Sequence, residues 1–248
     1  MTMTTTTIMV TRTVTIIMTN PGNTPHPAIA TLRLWQLISP ALPVGAYAYS
    51  QGMEYATESG WIRNETDARQ WIMGIMSHTL ARLDIPVLAR LYNAWQNNEL
   101  SMVNKWNNFL LASRESSELK NEDIHLGTAL RQLLVDLQTP AAVQWPIDEA
   151  SSFANMFALA AAHWRVPLRD TSMGYLWAWT ENQVAAAVKL VPLGQTAGQR
   201  ILSAAVETIP DLMETGLSLV DEDIGALAPG LAVASALHET QYSRLFRS

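Results

Sequence analysis

From Asn64 onward, apolar residues recur at spacings of three and four, the period of helices that bury one face. Ala68, Trp71, Ile72, Ile75, Met76, Leu80 and Leu83 form one such stripe behind Asn64 and Asp67 as caps. Asp84, with Pro86 in a first turn, predicts a fresh helix through Leu88, Leu91, Tyr92 and Trp95. Ser101 opens another through Trp106, Phe109 and Leu110. The run that starts at Ser113 begins polar and ends apolar, so its first half reads as a solvated helix or partner surface. Its second half places Leu126, Leu130, Leu133, Leu134 and Leu137 in register. Asp148 is the expected cap of a helix through Phe153, Met156, Phe157 and Trp164. Pro167 restarts the chain for a long helix through Tyr175, Leu176, Trp179, Val184 and Val188, and a last helix spans about Leu231 to Tyr242. The body holds no run of alternating β-branched residues. The fold class is therefore all-α, a single globular helical bundle of roughly eight to ten helices.

The stretch from Leu37 to Gly60 breaks this pattern, with two prolines, two internal glycines and three tyrosines between helical segments. Pro40 and Pro43 predict an extended connector from Ser39 to Val44, Gly45 permits a sharp turn, and Ser50 suits the N-cap of a short helix ending at Gly60. Its tyrosines either pack against the core or form an amphipathic platform that presents Tyr47, Tyr49, Gln51 and Glu54. Residues 1–28 are Thr-rich with Arg12 as the only charge, and read as a disordered extension without a signal-peptide pattern. Residues 29–240 form the expected helical domain, and 241–248 a C-terminal segment.

Composition narrows the function. Sixteen Lys and Arg against 22 Asp and Glu give a net charge of −6, which disfavours nucleic acid and anionic membranes as partners. Without cysteine there are no disulfides, thiolate metal sites or thiol nucleophiles, in keeping with a reducing cytoplasm. The histidines, His26, His78, His125, His163 and His238, have no ligand spacing, and no phosphate loop, dinucleotide fingerprint or nucleophile elbow occurs. Asp221, Glu222 and Asp223 could hold a hard cation, though charge at a helix N-terminus accounts for them equally. No catalytic residue, metal site or cofactor is expected.

Three polar motifs remain that a bundle does not need, and a fourth run accompanies them. They are L-P-V-G-A-Y-A-Y-S-Q-G-M-E; A-S-R-E-S-S-E-L with E-D-I-H-L-G-T-A-L; E-N-Q-V-A-A-A-V-K-L-V-P-L-G-Q-T-A-G-Q-R; and the ending Y-S-R-L-F-R-S. In this order they resemble the urease accessory protein F family over roughly Leu32 to Ser248. Arg165 stands where the family pattern suggests a small residue.

The resemblance implies an all-helical maturation chaperone with no enzymatic activity of its own. It implies binding to the D-type (H-type) accessory protein through one surface and recruitment of the G-type GTPase through another, coupling nucleotide state to nickel insertion into apo-urease, with the chain as a homodimer. The partner-binding residues so marked are Tyr47, Ser50, Gln51 and Glu54 in the first motif, Lys189, Gln195, Gln199 and Arg200 in the third, and Tyr242, Arg244, Phe246 and Arg247 in the last. A helical ligand- or haem-binding protein is the alternative, suggested by nine tryptophans in a helical bundle. A DNA-binding regulator fits poorly with the acidic balance. Two aromatics and two arginines near the C-terminus read as interface anchors, so a chain ending at Thr240 is expected to fold with little thermal shift but to lose the D-type partner.

Overall fold

The computed structural model describes residues 27–146 and 149–248; residues 1–26 of the Thr-rich extension and the cap expected at Asp148 lie outside the described residues, while Pro27 and Ala28, assigned to that extension, are the first residues of a helix. The α-helices are α1 (Pro27–Leu37), α2 (Met53–Glu58), α3 (Glu65–Ile75), α4 (Ile85–Asn97), α5 (Leu100–Ala112), α6 (Ser117–Asp136), α7 (Pro140–Gln144), α8 (Phe153–His163), α9 (Leu168–Leu190), α10 (Gln195–Ser218) and α11 (Pro229–His238). No strand occurs among the described residues, and the fold is all-α.

The expected break at Asp84 is absent. A π-helical stretch, Met76–Asp84, joins α3 to α4, so that Glu65–Asn97 is one rod of 33 residues. Pro86 has no amide for the Arg82 carbonyl, and that carbonyl instead accepts the amide of Gly225 at 3.1 Å, while the His78 carbonyl accepts Leu227 at the same distance. Tertiary donors thus replace the missing helical one. This rod is long and apolar enough to cross a membrane, yet 72% of its most apolar window is buried in the fold, as in a core helix.

Other boundaries follow local chemistry. Asn64 caps α3 by accepting the Asp67 amide at 3.0 Å, and Asp67 accepts the Arg63 amide in return. Ser152 caps α8, its hydroxyl accepting the Asn155 amide at 3.2 Å. Arg165 adopts φ 55°, the left-handed conformation that makes a small residue the natural choice there. Residues 39–44 form successive turns rather than an extended connector, because the Ser39 carbonyl accepts the Leu42 amide at 2.9 Å and its hydroxyl the Ala41 amide.

Two apolar cores result. The larger is built on α4 and α8, with Leu88, Leu91, Phe157, Leu130 and Leu176 inside it. The backbone of α6 passes so close to the loop before α8 that a Cβ at Gly127 would lie 2.0 Å from the Ser151 carbonyl. The smaller core gathers Met53, Ala56, Ile62, Ile72, Val184, Ile201 and Ala234 beneath α2, and the ring of Phe246 belongs to it.

The first half of α6 is not the solvated face its polarity suggests. Glu122 and Asp123 are buried, because the loop residue Arg114 reaches in and forms ion pairs with Asp84 at 2.7 Å and Asp123 at 2.8 Å. Asp123 also accepts the Phe153 amide at the start of α8, and the Tyr175 hydroxyl donates to Asp84 at 3.2 Å. Burial opposes the charge on Arg114, but Asp123 and Asp84 outweigh it and hold the guanidinium well above its usual pKa. For Asp123 burial is the larger influence, and its pKa lies above the ordinary carboxylate value despite Arg114.

Removing the cation would strand two buried carboxylates. Arg114→Met is expected to destabilise the fold by about 3 to 5 kcal/mol, read as a lower urea midpoint with an unchanged slope.

Candidate partner-docking site

The first motif and the C-terminal segment meet, and a buried carboxylate holds them together. Gly45 (φ 80°) turns the chain into a single 3-10 turn, Ala46–Ala48, and Gly52 (φ 75°) turns it again into α2. A Cβ at Gly52 would stand 2.9 Å from the Ser235 amide, so α11 can approach α2 only over glycine. The N-cap of α2 is Gly52 rather than the expected Ser50, which lies two residues earlier and whose hydroxyl accepts the Glu54 amide at 3.2 Å. One turn on, the Glu54 carboxylate accepts the amides of Leu245 at 2.6 Å and Phe246 at 2.8 Å.

The remaining backbone bonds complete a clasp. The main-chain oxygen of Ser248 accepts both the amide and the hydroxyl of Ser50 at 2.7 Å, and the Ala48 carbonyl accepts the Arg247 amide at 2.8 Å. From α6, Glu122 accepts the Ser248 hydroxyl at 2.7 Å and the Gln51 side-chain amide at 2.8 Å. The Gln51 carbonyl oxygen in turn accepts the Trp179 indole N–H of α9. His238 stands between two carboxylates, with Nδ1 2.7 Å from Glu118 and Nε2 3.3 Å from Glu54, while Arg244 also pairs with Glu118 at 2.6 Å. Burial pushes Glu122 up to about 7, against the hydrogen bonds from Gln51 and Ser248 that favour its ionised form.

Several candidate residues therefore come together. Ser50, Gln51, Glu54, Arg244, Phe246 and Arg247 share the clasp, and Lys189 joins them with its ammonium 5.6 Å from the centre of the Phe246 ring. Tyr47 lies beside Ala48 and is 72% exposed; Tyr242 and Leu245 also face solvent. Gln195, Gln199 and Arg200 do not reach the clasp by any of these contacts. They lie exposed on the first turns of α10, where Arg200 pairs with Glu65 of α3 through an Nε–Oε1 contact of 2.8 Å. Among the described residues no three His, Asp or Glu side chains converge as metal ligands. The triplet Asp221–Asp223 forms an exposed turn, with Asp221 paired to Arg90 at 3.0 Å.

The C-terminal segment is thus not a free appendage. Phe246 and Ser248 are buried, which corrects the expectation that residues 241–248 can be removed without a thermal cost. The sequence reading also missed Glu118, Glu122 and Ser248. A signal for Glu122 was present, since it lies three residues after Leu119 and four before Leu126, on the apolar stripe of α6. A carboxylate on such a stripe calls for internal donors.

Comparison with known proteins bears on what this surface does. The family model for UreF matches residues 62–206. The chain is 53% identical to the urease accessory protein UreF of Alkalilimnicola ehrlichii over 223 residues, covering 90% of this chain and 98% of that protein. It is 51% identical to that of Teredinibacter turnerae, with 88% and 98% covered, and 46% identical to that of Hahella chejuensis, with 90% and 100% covered.

Two measurements check the clasp. A chain ending at Thr240 loses the Phe246 ring from the smaller core and two amide donors from Glu54, so its melting temperature should fall by roughly 10 °C, the equivalent of about 3 to 5 kcal/mol. An unchanged melting temperature would rule the clasp out in the isolated chain. The second concerns pH. The folded state keeps the Glu122 proton up to about 7, whereas the unfolded chain releases it near 4.5. Stability from this group is full below pH 4.5 and is lost as pH rises to 7, by on the order of 2 to 3 kcal/mol. Glu122→Gln should flatten that part of the stability profile.

Proposed function

Because the chain belongs to the UreF family of urease accessory proteins, we propose that it is a non-catalytic chaperone that docks the D-type (H-type) and G-type accessory proteins onto apo-urease. In this reading, GTP hydrolysis by the G-type partner drives nickel insertion, while this cytoplasmic chain, as a homodimer, organises the complex without holding the metal. The observation that carries the proposal is the clasp. Buried groups fix its backbone at Ser50, Glu54 and Phe246, while Tyr47, Tyr242 and Leu245 remain exposed around it.

Rigid scaffolding under exposed aromatics suits docking. An exposed tyrosine costs little entropy when a partner covers it, and aromatic and arginine side chains dominate interface energies. Tyr47, Tyr242, Arg244 and Arg247 supply such groups, and Lys189 extends the patch along α9. The exposed start of α10, with Gln195, Gln199 and Arg200, supplies a second polar surface on a different helix. Two surfaces suit two partners, with the clasp assigned to the D-type protein and the α10 surface to the G-type GTPase.

The decisive experiment is urease activation in cells that make urease and the other accessory proteins but lack this chain. Supplying the chain should restore active, nickel-loaded urease; equal activity without it would overturn the proposal. In the same cells Tyr47→Ala and Lys189→Ala should each lower activation at least several-fold, with the melting temperature of the purified variant nearly unchanged, as exposed substitutions seldom alter it. Equilibrium dialysis of the isolated chain should find no stoichiometric nickel binding in the submicromolar range, since no ligand cluster is available among the described residues.

A further inference from the structure

A cavity of about 370 Å³ lies behind the clasp, bounded by the end of α1, the turns after it, the π-helical stretch, α6 and α9. Leu37, Leu42, Leu80, Leu126 and Phe153 give it apolar walls, and Trp179 and Tyr47 add two aromatic rings. Its charged lining is unbalanced, with five carboxylates (Asp84, Glu115, Glu122, Asp123 and Glu181) and the single guanidinium of Arg114. Arg114 is already committed to Asp84 and Asp123. Glu122 receives only neutral donors, and Glu181 has no hydrogen bond or ion pair among the described residues. The Thr79 hydroxyl on the π-helical stretch is buried without a partner at the cavity wall.

We infer that this cavity is a binding site for a small organic cation, an ammonium or guanidinium group on an aliphatic or aromatic stem. The chemistry of the lining selects this class. An anion would meet uncompensated carboxylates, and a neutral apolar molecule would take water from them and return nothing. A bare metal ion would face mostly hydrocarbon, with no three converging ligands among the described residues. An organic cation satisfies both halves of the lining, its stem against the leucines and its charge near Glu122 and Glu181, with the aromatic rings attracting it further. The volume is at the small end of ligand pockets, sufficient for a stem of several carbons. The site shares Tyr47, Gln51 and Glu122 with the clasp but needs no urease partner, so cation binding by the isolated chain is measured independently of the docking function.

The groups facing Glu122 are Gln51 and Ser248 from the clasp, Asp123 on its own helix and Arg114 from the loop before it, with Glu115 and Glu181 elsewhere on the lining. Burial also shifts Asp123, Glu115 and Glu181 upward, so the part of a change in cation affinity between pH 6 and 8 that Glu122→Gln removes is the part that reports Glu122.

The probe is n-hexylammonium, followed by calorimetry and by protein NMR shifts on the full chain, with 1-hexanol and hexanoate as the neutral and anionic analogues. Hexylammonium should bind saturably and at least tenfold more tightly than 1-hexanol, with hexanoate weakest. Its affinity should rise about three- to tenfold from pH 6 to pH 8, as Glu122 gives up its proton. Glu181→Gln, at a partly exposed position outside the clasp, should fold normally and weaken binding several-fold. Equal affinity for 1-hexanol and hexylammonium would mean a merely apolar cavity and would overturn the inference. Absence of saturable binding, or full affinity in Glu181→Gln, would overturn it as well.

Discussion

Among the described residues four carboxylates are buried, Glu54, Asp84, Glu122 and Asp123, and the donors that each one needs dictate where the chain can run. A buried carboxylate without donors costs more than most single contacts contribute, so the surrounding structure must bring donors to it. Asp84 and Asp123 share Arg114, which fixes the loop before α6 against the long rod and the start of α8. Glu54 takes its donors from the main chain of Leu245 and Phe246, so the C-terminal segment must lie across α2. Glu122 connects the two systems, being next to Asp123 in sequence and bonded to Gln51 and Ser248 in space.

This arrangement explains how a segment with exposed aromatics can be both part of the fold and available to a partner. Every amide used in the clasp points inward, and Phe246 fills the smaller core, whereas Tyr242, Leu245 and Tyr47 point outward. The cost of ordering these backbones is met by internal bonds before any partner arrives, which is the general advantage of preorganised surfaces. The π-helical stretch has a similar logic. Pro86 removes one donor, and the amides of Gly225 and Leu227 satisfy the carbonyls of Arg82 and His78, so the irregularity stitches the rod to the loop before α11.

Much of the architecture was legible in the order of residues. Helical periods, the Asn64 cap, the all-α class and the four family motifs are local properties, and local properties survive in a single sequence because they depend on neighbours three or four residues apart. The partners of the buried acids are of another kind. Glu54 and Phe246 are 192 residues apart, Asp84 and Arg114 are 30 apart, and Glu122 and Ser248 are 126 apart. In sequence Glu122 and Asp123 look like solvated charge, and Arg247 and Phe246 look like a free docking tail. Only the folded chain decides that two of these acids lie in the core, that Phe246 is buried, and that the rod continues past Pro86. The physical reason is that an ionisable side chain takes its meaning from the donors around it, and those donors are supplied by packing rather than by sequence neighbours.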